Sequence, residues 1–571
     1  MFKKKLFLEL LIVLIITIPS FVSLLHPGYF SHHDDQHIAR LFLFDLGLKQ
    51  GTLYPRWVGF LGFGFGFPLF NFYPPLIYII AELFHFAGVS LIWSIKLMLI
   101  LGLVSAAWGM YLFVKNLIGK LPALISSVLY TYFFYHAVVL YIRGAFAEFF
   151  TMSILPFLFL ALFKLSKKPG LKTSIILGIL FALLILAHPL IALPSVFYLG
   201  VTFVFLIFFN KDKTGFLKYS VIAFLIGLGL SSFYWYPSLA ERKFTTVDQI
   251  SIKELFNYKI HYIYPSQFWY SPWGFGGSIA GPNDGMTFQL GKVHISFLVL
   301  SVILAIIYFA KKKKDTEKTS LYYFFLLFLF FSLFMATPFS SPVWNNIKYL
   351  WYLQFPWRFL TFVGLFISIL GGFGIYFLEK IFVWKKLLSV IVIVLALVTV
   401  IKYSQYFKPQ YYLAKTDLQL TTFNEIAWNV SRTLLDFIPK GIKTTKSNLG
   451  TTIPAIKRKD LPRKSYQIIP NEASVKVLEN KFEEKSFLVT AYRNTQFQLN
   501  TFNFPGWTAY VDKEKVQIND NNDFKLITIN IPMGQHQILF RFEDTDVRKV
   551  GNVVSIVSFA FILMILVLYI H

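Results

Sequence analysis

The sequence contains no cysteine and comparatively few acidic residues. Because none of its 571 residues is Cys, disulfide bonds and thiolate metal sites are excluded. Asp and Glu number 29 against 54 Lys and Arg, which gives a formal net charge of +25. That charge would suit nucleic acid, but the lysines fall in short clusters between apolar runs, as in the cytoplasmic loops of membrane proteins. We therefore expect no nucleic-acid partner.

Long apolar runs dominate the chain. Hydrophobic residues make up 56% and aromatic residues 19% of the sequence, which predicts a polytopic α-helical membrane protein. The first run lacks an obvious cleavage site for a signal peptidase, so we expect it to be retained. The twelve predicted transmembrane helices are 6–25, 91–114, 121–141, 148–166, 173–188, 190–209, 217–237, 293–310, 319–337, 357–379, 387–404 and 550–570.

One further apolar stretch, residues 74–89, decides the predicted topology. It is short and contains Glu82 and His85. If it does not cross the membrane, every lysine-rich loop lies on the side of the N-terminus, as the positive-inside rule requires of the cytoplasm. We therefore predict a juxtamembrane or re-entrant helix here, with both termini cytoplasmic. The lysine-rich segments are 115–120, 164–172, 210–218, 311–318 and 380–386.

The predicted chain has three parts. Residues 1–404 form a transmembrane domain with a long first outer loop, 26–90, and a second outer loop lies at 240–292. Residues 405–548 form a soluble domain outside the cytoplasm, and 549–571 form the last transmembrane helix. From about residue 486 hydrophobic and polar residues alternate between turn signals, which predicts an antiparallel β-sandwich. Trp507 in this part would either contact glycan or lie in the core.

The first outer loop contains GFLGFGFGFPLFNFYPP, from Gly59 to Pro75. Glycines at every second or third position, with Phe between them, predict an irregular backbone lying against an apolar surface. In water the phenylalanines would form an exposed apolar patch. We expect this run, together with helix 74–89, to line an opening toward the lipid.

Ionisable residues are concentrated in HHDDQHIAR, directly after the first span. Such groups are costly at membrane depth and are functional by default. A helix here would place Asp34, His37 and Arg40 on one face. Alternatively, Asp34 would be an ordinary N-cap, although capping does not explain the second carboxylate, Asp35, or the three histidines.

A metal site is a weaker interpretation of the same stretch. Asp34, Asp35 and His33 are the candidate ligands, and a divalent ion such as Mg or Mn would be the metal. No ligand spacing in the sequence specifies such a site, so no cofactor is certain.

Further polar residues lie at the predicted outer ends of the spans. Arg143 and Glu148 occur in YIRGAFAEFF, His188 in LAHPL, and Arg358 in LQFPWRFL. Each has a structural alternative, because arginines snorkel, acids favour helix N-termini, and His188 precedes a proline. Their shared side and depth favour a common site.

Several of these segments resemble known families. DDQHIARLFLFDLGLKQGTLYPRW, GFGFPLFNFYPPLIY, YIRGAFAE and LQFPWRFL resemble the bacterial 6-pyruvoyl-tetrahydropterin synthase-related membrane proteins, and the overall plan resembles GT-C glycosyltransferases. The end of the soluble domain, FNFPGWTAYVDKEKVQI to GQHQILFRFED, resembles YfhO-type membrane proteins. The resemblance covers nearly the whole chain except about 405–486.

The resemblance implies a bacterial plasma-membrane enzyme that transfers a sugar from a polyprenyl-phosphate donor to an envelope glycan, lipid or protein acceptor on the outer face. In this resemblance, the first acidic position of GT-C enzymes maps onto Asp34 or Asp35. The second acidic position maps onto Glu148, where many GT-C relatives have Asp. We assign the substrate-binding roles to His37, Arg40, Arg56, Arg143, His188 and Arg358.

Two other functions are compatible with the sequence. A transporter or flippase would line a path through the bilayer with charges and would be expected to show paired repeats, which we do not find. A non-catalytic scaffold would use the β-domain to bind envelope polysaccharide or a protein. Flippase activity would move labelled lipid between leaflets without forming a glycosidic bond.

We expect a reporter fused after Lys314 to be cytoplasmic, because residues 311–318 form one of the lysine-rich loops. Paired fusions to alkaline phosphatase and green fluorescent protein measure the side. An active phosphatase at this position would mean that 74–89 crosses the membrane.

Overall fold

The computed structural model describes residues 2–310, 316–448 and 450–570, so Lys314 lies outside the described residues. The chain forms two compact units. The first comprises Met1–Asp35, Ile95–Leu228 and Asn257–Ala414. The second comprises Gln36–Ser94, Gly229–Phe256 and Lys415–His571.

Transmembrane helices make up most of the first unit, as the apolar runs predict. Nine helices in the described part of the chain are long and apolar enough to cross a membrane, or ten if one bent pair counts as a span. They are Leu91–Ile118, Phe146–Lys167, Pro189–Phe209, Lys213–Leu230, Lys292–Ala310, Thr316–Ala336, Pro356–Ile381, Lys385–Ser404 and Asp546–Leu568. The bent pair is Lys120–Thr131 and Phe134–Arg143, with a 41° change of direction.

The polytopic helical class is therefore confirmed, although the span count is lower than twelve. Helices lie at all twelve predicted positions, but two of them are short. Phe2–Thr17 has 16 residues, because a 3-10 turn with Pro19 follows, where the missing N–H ends the α-helical pattern. Leu171–Ala187 has 17 residues and ends before His188-Pro189.

The ambiguous segment 74–89 forms a short helix of the second unit. Leu76–Phe86 has 11 residues, which makes it about 16 Å long, roughly half the hydrocarbon thickness. It packs against the helix His37–Lys49 of the same unit. This length fits a juxtamembrane helix, whereas the side on which it lies stays a prediction.

Helix Leu360–Ile381 lies at the centre of the first unit, and its glycines allow close packing. All residues from Leu360 to Phe377 are buried. A Cβ at Gly364 would lie 2.6 Å from the Phe133 ring, and one at Gly372 would lie 3.0 Å from the carbonyl oxygen of Pro122. Small residues at these positions let the helix backbones approach each other, as is common in membrane proteins.

The second unit contains the predicted β-sandwich, in two antiparallel sheets. In spatial order the first sheet is Glu514–Val516, Trp507–Val511, Gly534–Phe542, Glu484–Ala491 and Ala473–Asn480. The second is Leu526–Ile531, Thr495–Phe502 and Tyr466–Ile469. In the first sheet Ile538 lies opposite both Phe487 and Val511.

The sandwich begins earlier than the alternation of the sequence indicates. The strands Tyr466–Ile469 and Ala473–Asn480 precede residue 486. Ala473–Asn480 is an edge strand with no fully buried residue, so it lacks the hydrophobic alternation of a half-buried strand. Trp507 is 6% exposed and contacts the Phe542 ring at 5.4 Å, which places it in the core.

The glycine-rich run from Gly59 to Pro75 packs within the second unit. Phe65 lies 5.3 Å from the ring of Phe502, and its carbonyl oxygen accepts the backbone N–H of Phe502 at 2.8 Å. Phe60 contacts the ring of Phe482 at 5.6 Å. The predicted apolar surface is thus formed by the β-domain, and these phenylalanines are used for domain packing.

The last helix is held in the second unit by a buried ion pair. Arg548 is 0% exposed, and its Nη2 donates to Glu241 Oε2 at 2.8 Å. Thr545 and Asn71 donate to the two oxygens of the same carboxylate at 2.6 and 2.8 Å. Both oxygens therefore have hydrogen-bond donors, as a buried charge requires.

We expect Glu241→Gln to destabilise the second unit by about 3–5 kcal/mol, because Arg548 would keep its buried charge without a counterion. Thermal unfolding of the detergent-solubilised protein measures the effect. Glu479→Gln is the matched control, since Glu479 pairs with Lys481 at 2.6 Å with both side chains part-exposed, and such pairs contribute about 0–1 kcal/mol. Equal melting points for the two variants would contradict the assignment.

Candidate functional site

A buried cluster of charges in the first unit forms the candidate site. Glu148 is 0% exposed, and its Oε2 accepts hydrogen bonds from Arg143 Nη1 at 2.9 Å and Arg358 Nε at 3.0 Å. Its Oε1 accepts the hydroxyl of Tyr135 at 2.6 Å. One carboxylate thus holds two arginines that are each less than 10% exposed.

The local backbone explains how Arg143 and Glu148 meet. A π-helical turn, Val138–Arg143, ends at Gly144, which has the left-handed φ of +66°. Glu148 follows in the first turn of the helix Phe146–Lys167, where a carboxylate also favours the helix N-terminus. A Cβ at Gly144 would lie 2.6 Å from Cγ of His32, so this reversal needs glycine.

Arg358 reaches the cluster from the start of another helix. It lies in the 3-10 turn Pro356–Phe359, directly before Leu360–Ile381. Its Nη1 donates to the carbonyl oxygen of Leu353 at 2.6 Å and to Gln354 Oε1 at 3.1 Å. These bonds fix the guanidinium plane beside Glu148.

His188 adds a neutral polar group to the cluster. It is the N-cap of helix Pro189–Phe209, and its Nδ1 accepts the backbone N–H of Ile191 at 3.2 Å. The neutral ring then carries its proton on Nε2. The ring interacts electrostatically with Arg358, Glu148 and Arg143.

The segment that precedes helix His37–Lys49 lies beside Arg143. The backbone N–H of His33 donates to the carbonyl oxygen of Ile142 at 2.9 Å. The backbone N–H of Asp34 donates to the carbonyl oxygen of Arg143 at 3.0 Å. The Asp34 side chain is exposed and interacts electrostatically with Arg143. Burial lowers the pKa of His32 to about 3, so its imidazole is neutral.

The structure brings together five of the predicted site residues, Asp34, Arg143, Glu148, His188 and Arg358. Asp35 follows in the chain, is exposed, and interacts electrostatically with Tyr29. The helix begins at His37 with Gln36 as its N-cap, so the expected helical face shared by Asp34 and His37 does not form. Asp34 is not the cap, because its backbone bonds to the π-helical turn instead.

Three predicted substrate-binding residues have partners inside the second unit. Nδ1 of His37 lies 2.9 Å from the Tyr78 hydroxyl. Arg40 lies over the Tyr73 ring at 3.8 Å and donates to Gln36. Arg56 donates to the carbonyl oxygen of Phe233 at 2.8 Å and to Asn552 at 2.9 Å, and pairs with Asp544 at 3.6 Å. Their roles toward substrate stay predictions.

Aromatic residues next to Arg143 were not predicted as site residues. Trp357 stacks on Phe355 with ring centroids 4.3 Å apart, and His261 contacts these two rings at 5.0 and 4.9 Å. The guanidinium carbon of Arg143 lies 5.8 Å from Trp357 and 5.7 Å from Phe355. The signal for two of them is LQFPWRFL, whereas nothing in the sequence around His261 singles it out.

The predicted metal ligands do not form a preformed metal site in the described residues. Within residues 2–310, 316–448 and 450–570, no group of three or more His, Asp or Glu side chains is arranged to hold a metal ion. His33 is exposed, and its Nε2 lies 2.9 Å from the carbonyl oxygen of Phe275. Asp34 and Asp35 alone would be candidate ligands, and metal dependence stays a prediction.

Comparison with known proteins identifies the family of the membrane part. A family model described as 6-pyruvoyl-tetrahydropterin synthase related domain, membrane protein, matches residues 70–409. No curated protein matches the sequence.

Among solved structures, the fold is similar to the cryo-EM structure of arabinofuranosyltransferase AftD from Mycobacteria. The TM-score is 0.46 at 12% identity over 72% of this chain and 27% of that chain. A mutant of AftD gives a TM-score of 0.45 at 13% identity over 72% and 28%. The chain thus spans about a quarter of the length of these structures.

We expect Glu148→Gln to lower the stability of the first unit by about 3–5 kcal/mol, because two buried arginines would lose the carboxylate that they share. Arg143→Gln should cost less, since Glu148 keeps Arg358. Thermal unfolding in detergent measures both. Glu317→Gln is the exposed control in the same unit, with Glu317 61% exposed beside Lys318. A melting point for Glu148→Gln equal to that of the control would contradict this role.

Proposed function

The chain belongs to the 6-pyruvoyl-tetrahydropterin synthase-related family of membrane proteins, and we propose that it is a membrane glycosyltransferase. It transfers a sugar from a polyprenyl-phosphate donor to an acceptor outside the cytoplasm. The observation that carries the proposal is the buried cluster of Arg143, Glu148 and Arg358 with the exposed Asp34 carboxylate beside Arg143.

The charge of the cluster supports a phosphate-bearing substrate. Two arginines share one buried carboxylate, so the three side chains carry one net positive charge. A buried charge is costly unless it is compensated. Arginine binds phosphate well because its planar guanidinium donates two parallel hydrogen bonds. A lipid phosphate would supply the negative charge that compensates the excess positive charge.

Asp34 is the proposed general base. Its carboxylate is exposed and so accessible to an acceptor hydroxyl, whereas both oxygens of Glu148 already accept hydrogen bonds. Glu148 therefore serves as a positioning residue for Arg143 and Arg358. Asp35, also exposed, is the second candidate for the base.

The proposed transfer forms one bond and breaks one. The acceptor oxygen bonds to the anomeric carbon as Asp34 takes the hydroxyl proton. The bond between the anomeric carbon and the phosphate oxygen breaks, and polyprenyl phosphate leaves with that electron pair. Positive charge at the departing phosphate stabilises the transition state, which is often the largest catalytic contribution.

In our proposal the reaction takes place at the membrane interface, on the outer face of the membrane. Polyprenyl phosphate stays in the bilayer, so transfer occurs at the membrane interface. The lysine-rich loops favour cytoplasmic termini and a site on the outer face of a plasma membrane. The acceptor would then be an envelope glycan, lipid or protein.

We expect Asp34→Asn to lower the transfer rate by about 10²–10⁴-fold, which is the usual contribution of a general base. The assay uses the protein in liposomes, radiolabelled undecaprenyl-phosphate sugars and an envelope extract as acceptor. Asp35→Asn, tested in parallel, identifies which carboxylate is the base. Asp212→Asn is a control, because Asp212 is exposed and accepts the backbone N–H of Gly215.

Undiminished transfer by the Asp34→Asn, Asp35→Asn double variant would exclude both carboxylates as the base. Movement of labelled lipid between leaflets without a new glycosidic bond would establish a flippase instead. If no undecaprenyl-phosphate sugar is bound or used by the wild type, the donor class is wrong.

A further inference from the structure

Two buried polar atoms beside Arg143 have no hydrogen-bond partner in the described part of the chain. They are Nε2 of His261 and Nε1 of Trp357. His261 is 7% exposed and Trp357 is 3% exposed, so both side chains are buried. Because buried polar groups are almost always hydrogen-bonded, each such atom in a native structure requires an explanation. A ligand with hydrogen-bonding oxygens supplies one.

The surrounding rings fix the direction of the indole N–H. Trp357 stacks with Phe355, at 4.3 Å and 6° between planes, and with Phe288, at 5.2 Å and 26°. With neighbours on the ring faces, the donor at the ring edge keeps one orientation. Stacked aromatic neighbours therefore preorganise this N–H, as a binding group requires.

His261 is held beside the same rings and is neutral. Its Nδ1 lies 3.2 Å from the Ser278 hydroxyl, and its ring contacts Phe355 and Trp357 edge-on. Burial, with a smaller contribution from the Arg143 charge, lowers the pKa of His261 to about 4, so at pH 7 the imidazole carries no charge. A neutral imidazole has one N–H and one lone pair.

Two kinds of polar group thus lie side by side. Arg143 is a cation suited to phosphate, and its guanidinium carbon is 5.8 Å from the Trp357 ring. Trp357 and His261 are neutral and suit hydroxyl groups, which both donate and accept. In a polyprenyl-phosphate sugar the phosphate and the ring hydroxyls are covalently adjacent.

We propose that Trp357 Nε1 and His261 Nε2 bind hydroxyl groups of the donor sugar, while Arg143 binds the phosphate to which that sugar is linked. This inference rests on the proposed function, since it takes the donor to be a lipid-phosphate sugar. It assigns sugar recognition to two residues outside the acid and arginine cluster. Acceptor glycans also carry hydroxyl groups. The experiment therefore distinguishes binding of the donor sugar from binding of the acceptor.

The test compares the binding of lipids with and without sugar. Radiolabelled undecaprenyl phosphate, and the same lipid carrying glucose, mannose or arabinose, are titrated onto the full-length protein in nanodiscs without acceptor. For the wild type, we expect one sugar to tighten binding relative to bare lipid phosphate. In Trp357→Phe and in His261→Phe this sugar-dependent tightening should fall by about tenfold, because each variant removes one buried hydrogen bond. Binding of bare undecaprenyl phosphate should stay within about twofold of wild type.

A matched tryptophan distinguishes recognition from packing. Trp344 is also buried, but its Nε1 donates to the carbonyl oxygen of Met335 at 3.1 Å. Trp344→Phe should therefore lower the melting point of the ligand-free protein more than Trp357→Phe does, and it should leave the sugar-dependent tightening unchanged. A variant that misfolds would also lose its affinity for bare undecaprenyl phosphate, so this affinity detects misfolding.

Each other outcome overturns the inference. Equal loss of bare-lipid and sugar-lipid affinity would assign the two residues to phosphate or to packing. Unchanged donor binding with a raised KM for a glycan acceptor would assign them to the acceptor. A wild type that binds bare and glycosylated lipid equally overturns sugar recognition but keeps the lipid-phosphate donor, whereas a wild type that binds neither overturns the proposed function as well.

Discussion

The first unit depends on one buried carboxylate that pairs with two buried arginines. Glu148 is 0% exposed, and both of its oxygens accept hydrogen bonds. Its partners are Tyr135 in the short helix Phe134–Ala137, Arg143 in the π-helical turn Val138–Arg143, and Arg358 in the 3-10 turn Pro356–Phe359. Because leaving any buried charge unpaired is expensive, these segments are held in one arrangement. The three buried charged side chains carry one positive charge in excess, and in our proposal the donor phosphate binds there.

A second buried ion pair shows what a purely structural solution looks like. In the second unit Arg548 pairs with Glu241, one positive charge against one negative, and Thr545 and Asn71 also donate to that carboxylate. Arg56 there has Asp544 as its nearby counterion. These charges are balanced within the protein. The cluster around Glu148 differs in having two buried arginines for one buried carboxylate, with an exposed carboxylate, that of Asp34, beside Arg143. This contrast, more than burial itself, is the reason why we propose a binding site around Glu148 and a structural role for the pair of Arg548 and Glu241.

The sequence predicted what depends on local pattern and missed what depends on tertiary pairing. Apolar runs located the helices, and alternation located most of the sandwich. The shared side and depth of Arg143, Glu148 and Arg358 in the predicted topology grouped them in one site. The start of helix His37–Lys49 was misplaced because the backbone of Asp34 bonds to Arg143, a contact that no local signal encodes. His37, Arg40 and Arg56 were grouped with the site by charge and position alone, whereas hydrogen bonds to Tyr78 and Asn552 account for two of them. His261 has no motif, so only its packing against Trp357 reveals it.

A transferase for lipid-phosphate sugars has to solve two recognition problems with different physics. The phosphate is common to all such donors, so arginines that bind it provide affinity and stabilise departing charge but do not distinguish one sugar from another. Discrimination between sugars requires groups that lose a hydrogen bond when a hydroxyl is absent or inverted, and buried neutral donors and acceptors do this most sharply. In our proposal, the His261 ring lies 5.0 Å from the Trp357 ring, and the Trp357 ring lies 5.8 Å from the guanidinium carbon of Arg143, so the two tasks are separated but act on adjacent atoms of one substrate. Charge then attracts the whole class of donors, and the neutral groups select among its members.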